Sequence, residues 1–137
     1  MWSFDLPMSL RLVGKKATWL NMNWYRNAFY RELNDAKVLF KQRVEKMVIE
    51  EGIDTLNQIH LHYDLYLPNK TRRDLRNVTS VVDKFFSDVL TEVGVIPDDN
   101  VDFVVSTSDA YRGLDRENPR VTVTIYPVTE PVTITYR

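Results

Sequence analysis

The chain has 137 residues, 44% hydrophobic and 27% charged, enough for one globular domain with a real core, which excludes a disordered tail or a repeat array. It has no cysteine and four glycines, so disulfides, thiolate zinc sites, cysteine nucleophiles and glycine-rich phosphate loops are excluded together. The net charge of −1 hides an asymmetry: residues 1–47 hold nine basic against four acidic side chains, and residues 48–137 hold nine against fifteen. Such a split suits an anionic partner facing a carboxylate-rich region, although chance also produces it.

In chain order, residues 2–12 predict a strand, with Trp2, Phe4 and Leu6 alternating against Ser3 and Asp5. A turn follows at Gly14-Lys15-Lys16. From Asn23 to Glu50 the spacing predicts one long helix, its stripe being Tyr25, Phe29, Leu33, Ala36, Phe40, Val44 and Met47. Arg26, Arg31, Lys37, Lys41, Arg43 and Lys46 fall mainly off that stripe and read as a solvated face. Gly52 ends the helix. Residues 57–67 alternate cleanly as a strand, with Ile59, Leu61, Tyr63, Leu65 and Leu67 on one face and His60, His62, Asp64 and Tyr66 on the other.

After Pro68-Asn69-Lys70, a second helix is predicted from Asn77 to Val93, with Val78, Val81, Val82, Phe85, Val89 and Val93 as its stripe and Gly94 and Pro97 as its stop. Val101–Ser106, Val121–Tyr126 and Val132–Tyr136 predict further strands. This order gives an α+β fold: a single domain over 1–137, with a mixed or antiparallel sheet and two main helices on one side. No apolar run approaches the roughly 18 residues of a membrane span. The alternating N-terminus argues against a signal peptide, so the expected location is cytoplasmic.

Three clusters carry potential chemistry. In Lys70-Thr71-Arg72-Arg73-Asp74-Leu75-Arg76-Asn77, four bases surround one carboxylate. That combination suits a divalent ion beside a phosphodiester, and it also suits an ordinary helix N-cap. Asp98 and Asp99 could hold Mg²⁺ or Mn²⁺, but Pro97-Asp98-Asp99-Asn100 is also turn chemistry. His60, His62 and Asp64 fall short of a zinc set, and no Ser/His/Asp arrangement is apparent.

From Arg72 to Val101, RRDLRNVTSVVDKFFSDVLTEVGVIPDDNV, the chain resembles the RusA-like Holliday junction resolvases, particularly those of bacteriophages. The pattern is Arg-Asp-x-Asp-Asn, an internal Asp-x-Leu, then Gly-Val, an apolar residue, any residue and Asp-Asp. It is matched by Arg73-Asp74-Leu75-Arg76-Asn77, Asp88-Val89-Leu90 and Gly94-Val95-Ile96-Pro97-Asp98-Asp99. Residues 20–44 and Glu117-Asn118-Pro119-Arg120-Val121 are also similar to segments of phage members, so the resemblance covers most of the chain.

The resemblance implies a homodimeric endonuclease that binds Mg²⁺ or Mn²⁺ and resolves four-way or branched DNA. Asp74, Asp98 and Asp99 would be its catalytic residues, with Asp74 and Asp99 on the metal. Lys70, Arg72, Arg73, Arg76 and Lys84 would contact DNA phosphates. One position departs: the second acidic residue of the pattern is Arg76, which removes a ligand and adds a positive charge. Asp64 is a candidate substitute ligand, and Lys84 replaces a basic residue missing at Thr79 and Ser80. The alternative is a relative that binds branched DNA or a host protein and cuts weakly or not at all.

Asp74 and Asp99 flank the second helix, so an unbroken helix would prevent one chain from closing the site. Two antiparallel copies about a two-fold axis, joined through Val81, Val82, Phe85, Phe86 and Val89, would make two shared sites.

Overall fold

The computed structural model describes residues 1–133. Its elements in order are β1 (Trp2–Leu6), β2 (Ser9–Arg11), β3 (Ala17–Trp19), α1 (Met22–Asn27), α2 (Tyr30–Glu50), β4 (Ile59–Leu67), α3 (Leu75–Glu92), β5 (Val104–Leu114) and β6 (Arg120–Pro127). Four strands form a mixed sheet in the order β1-β6-β4-β5. β6 runs antiparallel to both β1 and β4, whereas β4 and β5 are parallel because α3 carries the chain back between them. The domain is therefore single and α+β, as expected, with three helices instead of two.

The alternation of β4 survives in full: Ile59, Leu61, Tyr63, Leu65 and Leu67 are buried, and the residues between them are half-buried. The Tyr63 hydroxyl donates to Asp83 of α3, so the helices cover the face bearing Tyr63. His60, His62 and Asp64 belong to the opposite face.

Several predicted boundaries move, each for a local reason. The strand expected over 2–12 stops at Leu6, because Pro7 has no N–H to donate, and the chain restarts as the hairpin of β2 and β3. The helix expected over 23–50 breaks at Ala28 and Phe29, which are both extended (ψ of 139° and 150°). Trp24 and Tyr25 pack onto Phe85 with ring centroids 6.3 and 6.4 Å away. The α2 stripe of Ala36, Phe40, Val44 and Val48 follows a separate axis, which leaves Phe29 exposed.

The strand expected at Val101–Ser106 begins instead at Val104 and runs to Leu114. Its polar composition belongs to a sheet edge, where only one side finds a strand among the described residues. Val132 and Thr133 are not in a strand, and the rest of the strand expected to Tyr136 lies outside the described residues. Gly94 follows α3 with φ +82°, a conformation that a residue with a Cβ adopts only with strain.

A larger correction concerns α3. Val81, Val82, Phe85, Phe86 and Val89 are all at most 2% exposed, inside the core of one chain. They cannot also be the apolar contact of a dimer.

Candidate functional site

The segment from Pro68 to Asp74 leaves the end of β4 and enters α3. Asp74 stands at the N-cap position of the helix, yet its side chain makes no capping hydrogen bond. The carboxylate is thus exposed and not committed to the backbone, unlike that of an ordinary N-cap. Lys70 and Arg72 beside it are also exposed. Arg73 turns inward, its guanidinium carbon 5.6 Å from the centre of the Trp19 ring.

Arg76 takes a different course. Its Nη1 lies 3.3 Å from Asp109 Oδ2 on β5, and the same oxygen accepts from the Thr79 hydroxyl at 2.7 Å. The Arg76 guanidinium therefore has a carboxylate partner on β5. Sequence reasoning offered Asp64 as a nearby carboxylate, but Asp64 is on the sheet face away from α3. Asp109 was missed because its strand shows no alternation.

At the other end of α3, Asp98 is spent on its turn, accepting from the Asp99 N–H at 2.7 Å and the Asn100 side chain at 3.1 Å. The Asp99 carboxylate makes no hydrogen bond among the described residues, and its charge acts on Asp88. Burial first, and then the Asp99 charge, push the Asp88 carboxyl above its ordinary value. Val95 N–H bonds Leu90 O at 2.9 Å, and Leu56 N–H bonds Val95 O at 2.7 Å, which pins the segment after α3 to that end.

The 18 residues of α3 separate its ends by about 27 Å. One chain thus leaves Asp88 and Asp99 toward one end of α3 and Asp74 at the other. Among the described residues, no group of three metal-ligating side chains forms. Lys84 lies over the Tyr25 ring at 5.8 Å, and ten residues of helix put it about 15 Å from Asp74. Some bases on α2 are already paired: Lys41 with Glu92 at 2.7 Å and Lys46 with Glu50 at 4.0 Å.

The open sheet face overturns another expectation. Parallel pairing sets His62 opposite Ser108 and His60 opposite Ser106, and a Ser/His/Asp arrangement does form. Ser106 Oγ meets His60 Nδ1 at 2.6 Å, His60 Nε2 meets Ser108 Oγ at 2.8 Å, and Ser108 Oγ meets His62 Nδ1 at 2.6 Å. His62 Nε2 then reaches Asp64 Oδ1 at 2.8 Å, and Arg112 Nε donates to the same oxygen at 2.6 Å. Two neutral imidazoles satisfy every link with one proton each, in a single direction from Ser106 to Asp64.

Burial, with the neighbouring His62, holds His60 below its ordinary value. Burial alone would raise Asp64, but hydrogen bonds from Arg112 and His62 outweigh it and leave Asp64 below its usual range. For groups depressed in the folded state, stability is present above the unfolded value and lost as pH falls through the folded one. The stability advantage of wild type over His60→Gln should therefore shrink from about pH 7.5 to about pH 5, across the ordinary histidine value of roughly 6.5. Urea midpoints measure it, and an advantage that grew on acidification would mean that the folded state prefers charged His60.

Beside Asp74, between the β2–β3 hairpin and the start of α3, lies a cavity of about 390 Å³ whose walls include Trp19, Arg73, Asp74 and Asn77. No protein-family model matches the chain, and no curated protein matches it.

Proposed function

We propose that this chain is a metal-dependent, structure-specific endonuclease of the RusA-like type, nicking four-way or otherwise branched DNA as a homodimer. The observation that carries the reading is Asp74: a carboxylate at a helix start, free of any capping role, among the exposed bases Lys70 and Arg72. The partnering of Arg76 with Asp109 supports it further, because the cation at the altered motif position is directed to β5.

The donor set suits a hard cation. Asp74 at one end of α3, and Asp99 with Asp88 at the other, offer carboxylate oxygens only, which is the chemistry of Mg²⁺ or Mn²⁺. Such an ion, held by Asp74 and by Asp99 of the partner subunit, would supply a water activated for attack on a phosphodiester. The chain's own part is to place those carboxylates, and to hold the scissile strand through Lys70, Arg72 and Arg73. With the apolar stripe of α3 in the core, a partner would approach along the polar flank of α3 and the edge of β5. A two-fold axis there, perpendicular to α3, would set the two helices antiparallel.

Mn²⁺-supported cleavage of a synthetic four-way junction tests the reading, with paired nicks as the expected product. Tight junction binding without cleavage would favour the weakened or inactive relative instead. Phosphate contact by the loop is checked separately. Lys70→Ala and Arg72→Ala should each weaken binding equally across junctions of different sequence, and each should reduce the salt slope by about 0.9. Arg76→Ala should do less, because Asp109 already engages that guanidinium. A selective change in sequence preference would replace backbone contact with base readout.

A further inference from the structure

The cavity beside Asp74 has features that phosphate contact alone does not use. Trp19 is 38% exposed at its wall. Arg73 lies over one face of that ring, leaving the other for a ligand, and its Nη1 is buried with no hydrogen-bond partner among the described residues. A buried guanidinium nitrogen without an acceptor is costly, and its presence calls for one. The carboxamides of Asn23 and Asn77 also line the cavity and bond to no other described side chain or backbone group. Asn21, by contrast, is spent: its Oδ1 caps α1 through the Trp24 N–H at 2.9 Å, and its Nδ2 donates to Trp19 O at 3.4 Å.

This combination specifies a ligand class. An exposed indole offers a flat apolar surface, a guanidinium offers charged donors, and two free carboxamides offer both donors and acceptors. A volume of about 390 Å³ is at the small end of the range for ligand pockets. Asp74 at the wall disfavours a bare terminal phosphate by repulsion. What remains is a nucleotide within a chain: a planar base for Trp19, amide groups for its edge, and a singly charged phosphodiester for Arg73.

We infer that this cavity takes one unpaired nucleotide of single-stranded or branched DNA, with its base stacked on Trp19 and its phosphate on Arg73. The inference rests on the nucleic-acid reading of the Asp74 end of α3, and it deepens that reading by naming what is recognised. A paired base cannot reach the indole, because both of its faces are covered in the duplex. The cavity therefore selects strands that are open, as at a branch point, and it sets the unpaired nucleotide next to Asp74.

The test is binding of a labelled oligothymidylate, with a blunt duplex of equal length as the control. Trp19→Ala should weaken oligothymidylate binding roughly 5- to 100-fold and leave duplex binding unchanged, because a base–aromatic stack is lost only where bases are free. Trp19→Phe should stay within about threefold of wild type, since a smaller ring still stacks. Arg73→Ala should weaken both DNAs through its phosphate contact, and oligothymidylate more. If Trp19→Ala misfolds, fluorescence decides: oligothymidylate should quench wild-type tryptophan emission, and Trp19→Phe should abolish the quench although Trp2 and Trp24 remain.

Wild-type affinity of folded Trp19→Ala for oligothymidylate, an equal loss on duplex, or a quench that survives Trp19→Phe would each overturn the inference. These outcomes are separable from failure of the nuclease reading, which is judged by cleavage in the Asp74 and Asp99 variants. The cavity can bind in a protein that does not cut, and a protein that cuts can leave the cavity unused.

Discussion

Asp74→Asn and Asp99→Asn should each lower Mg²⁺- or Mn²⁺-dependent nicking of a four-way junction by at least about 100-fold, while junction affinity stays level or rises. Loss of a group that merely supports a metal ligand commonly costs about 10- to 100-fold, so loss of a ligand should cost no less. Neither carboxylate has a structural task to confuse the result. Asp74 makes no capping bond, and Asp99 makes no side-chain hydrogen bond among the described residues. Removing a negative charge near phosphates also relieves repulsion, so binding and cutting should separate. Asp98→Asn is the internal contrast. Its carboxylate is occupied by the turn, and an amide oxygen can still accept from the Asp99 N–H, so the loss should be modest. Wild-type nicking by both Asp74→Asn and Asp99→Asn would remove the site as drawn.

Phe85→Ala should produce the largest loss of stability, about 3–5 kcal/mol by urea denaturation. For a domain of this size that corresponds to a fall in Tm on the order of 10–20 °C. Phe85 is 2% exposed and is the ring on which three helices meet. Phe40 of α2 lies 5.5 Å away, with Trp24 and Tyr25 of α1 at 6.3 and 6.4 Å. Truncation leaves a cavity bounded by large rings from separate elements, which cannot close without shifting a helix. A loss below about 1.5 kcal/mol would mean that α1 collapses into the gap. The same variant should loosen α1 first, which hydrogen exchange on residues 22–27 would report.

The elements that were legible in the sequence are those with one periodicity and one buried side. β4 declares itself because every second residue is apolar and buried. α3 does so because its stripe runs unbroken from Val78 to Leu90. The break between α1 and α2 is hidden, since Phe29 continues the apolar spacing while the backbone turns away. Most of β5 is hidden for the opposite reason: the expected strand stops at Ser106, and Thr107, Ser108 and Asp109 look like loop residues, but they continue the strand because β4 offers a parallel partner. That one omission also concealed Asp109 and the Ser108–His62–Asp64 arrangement. Both depend on neighbours from another element, α3 for Asp109 and β4 for Ser108, 30 or more residues distant in the chain. The position of Asp74 before α3 was readable, but its freedom from capping is a matter of side-chain geometry that residue type does not specify.

The pairing of β1 with β6 also constrains how the protein is made. Trp2 lies opposite Ile125 and Leu6 opposite Val121, so β1 leaves the ribosome long before the strand that satisfies it. At about 5–20 residues per second, β1 waits some 6–25 s for its partner to be synthesised. Until then Phe4 and Leu6, which end buried, have no sheet to join, and β4 lacks its antiparallel neighbour. Closure is thus a late, high-contact-order step, slow relative to helix formation. In the interval the nascent chain carries open strand edges, so its yield in a cell depends on how well those edges are shielded.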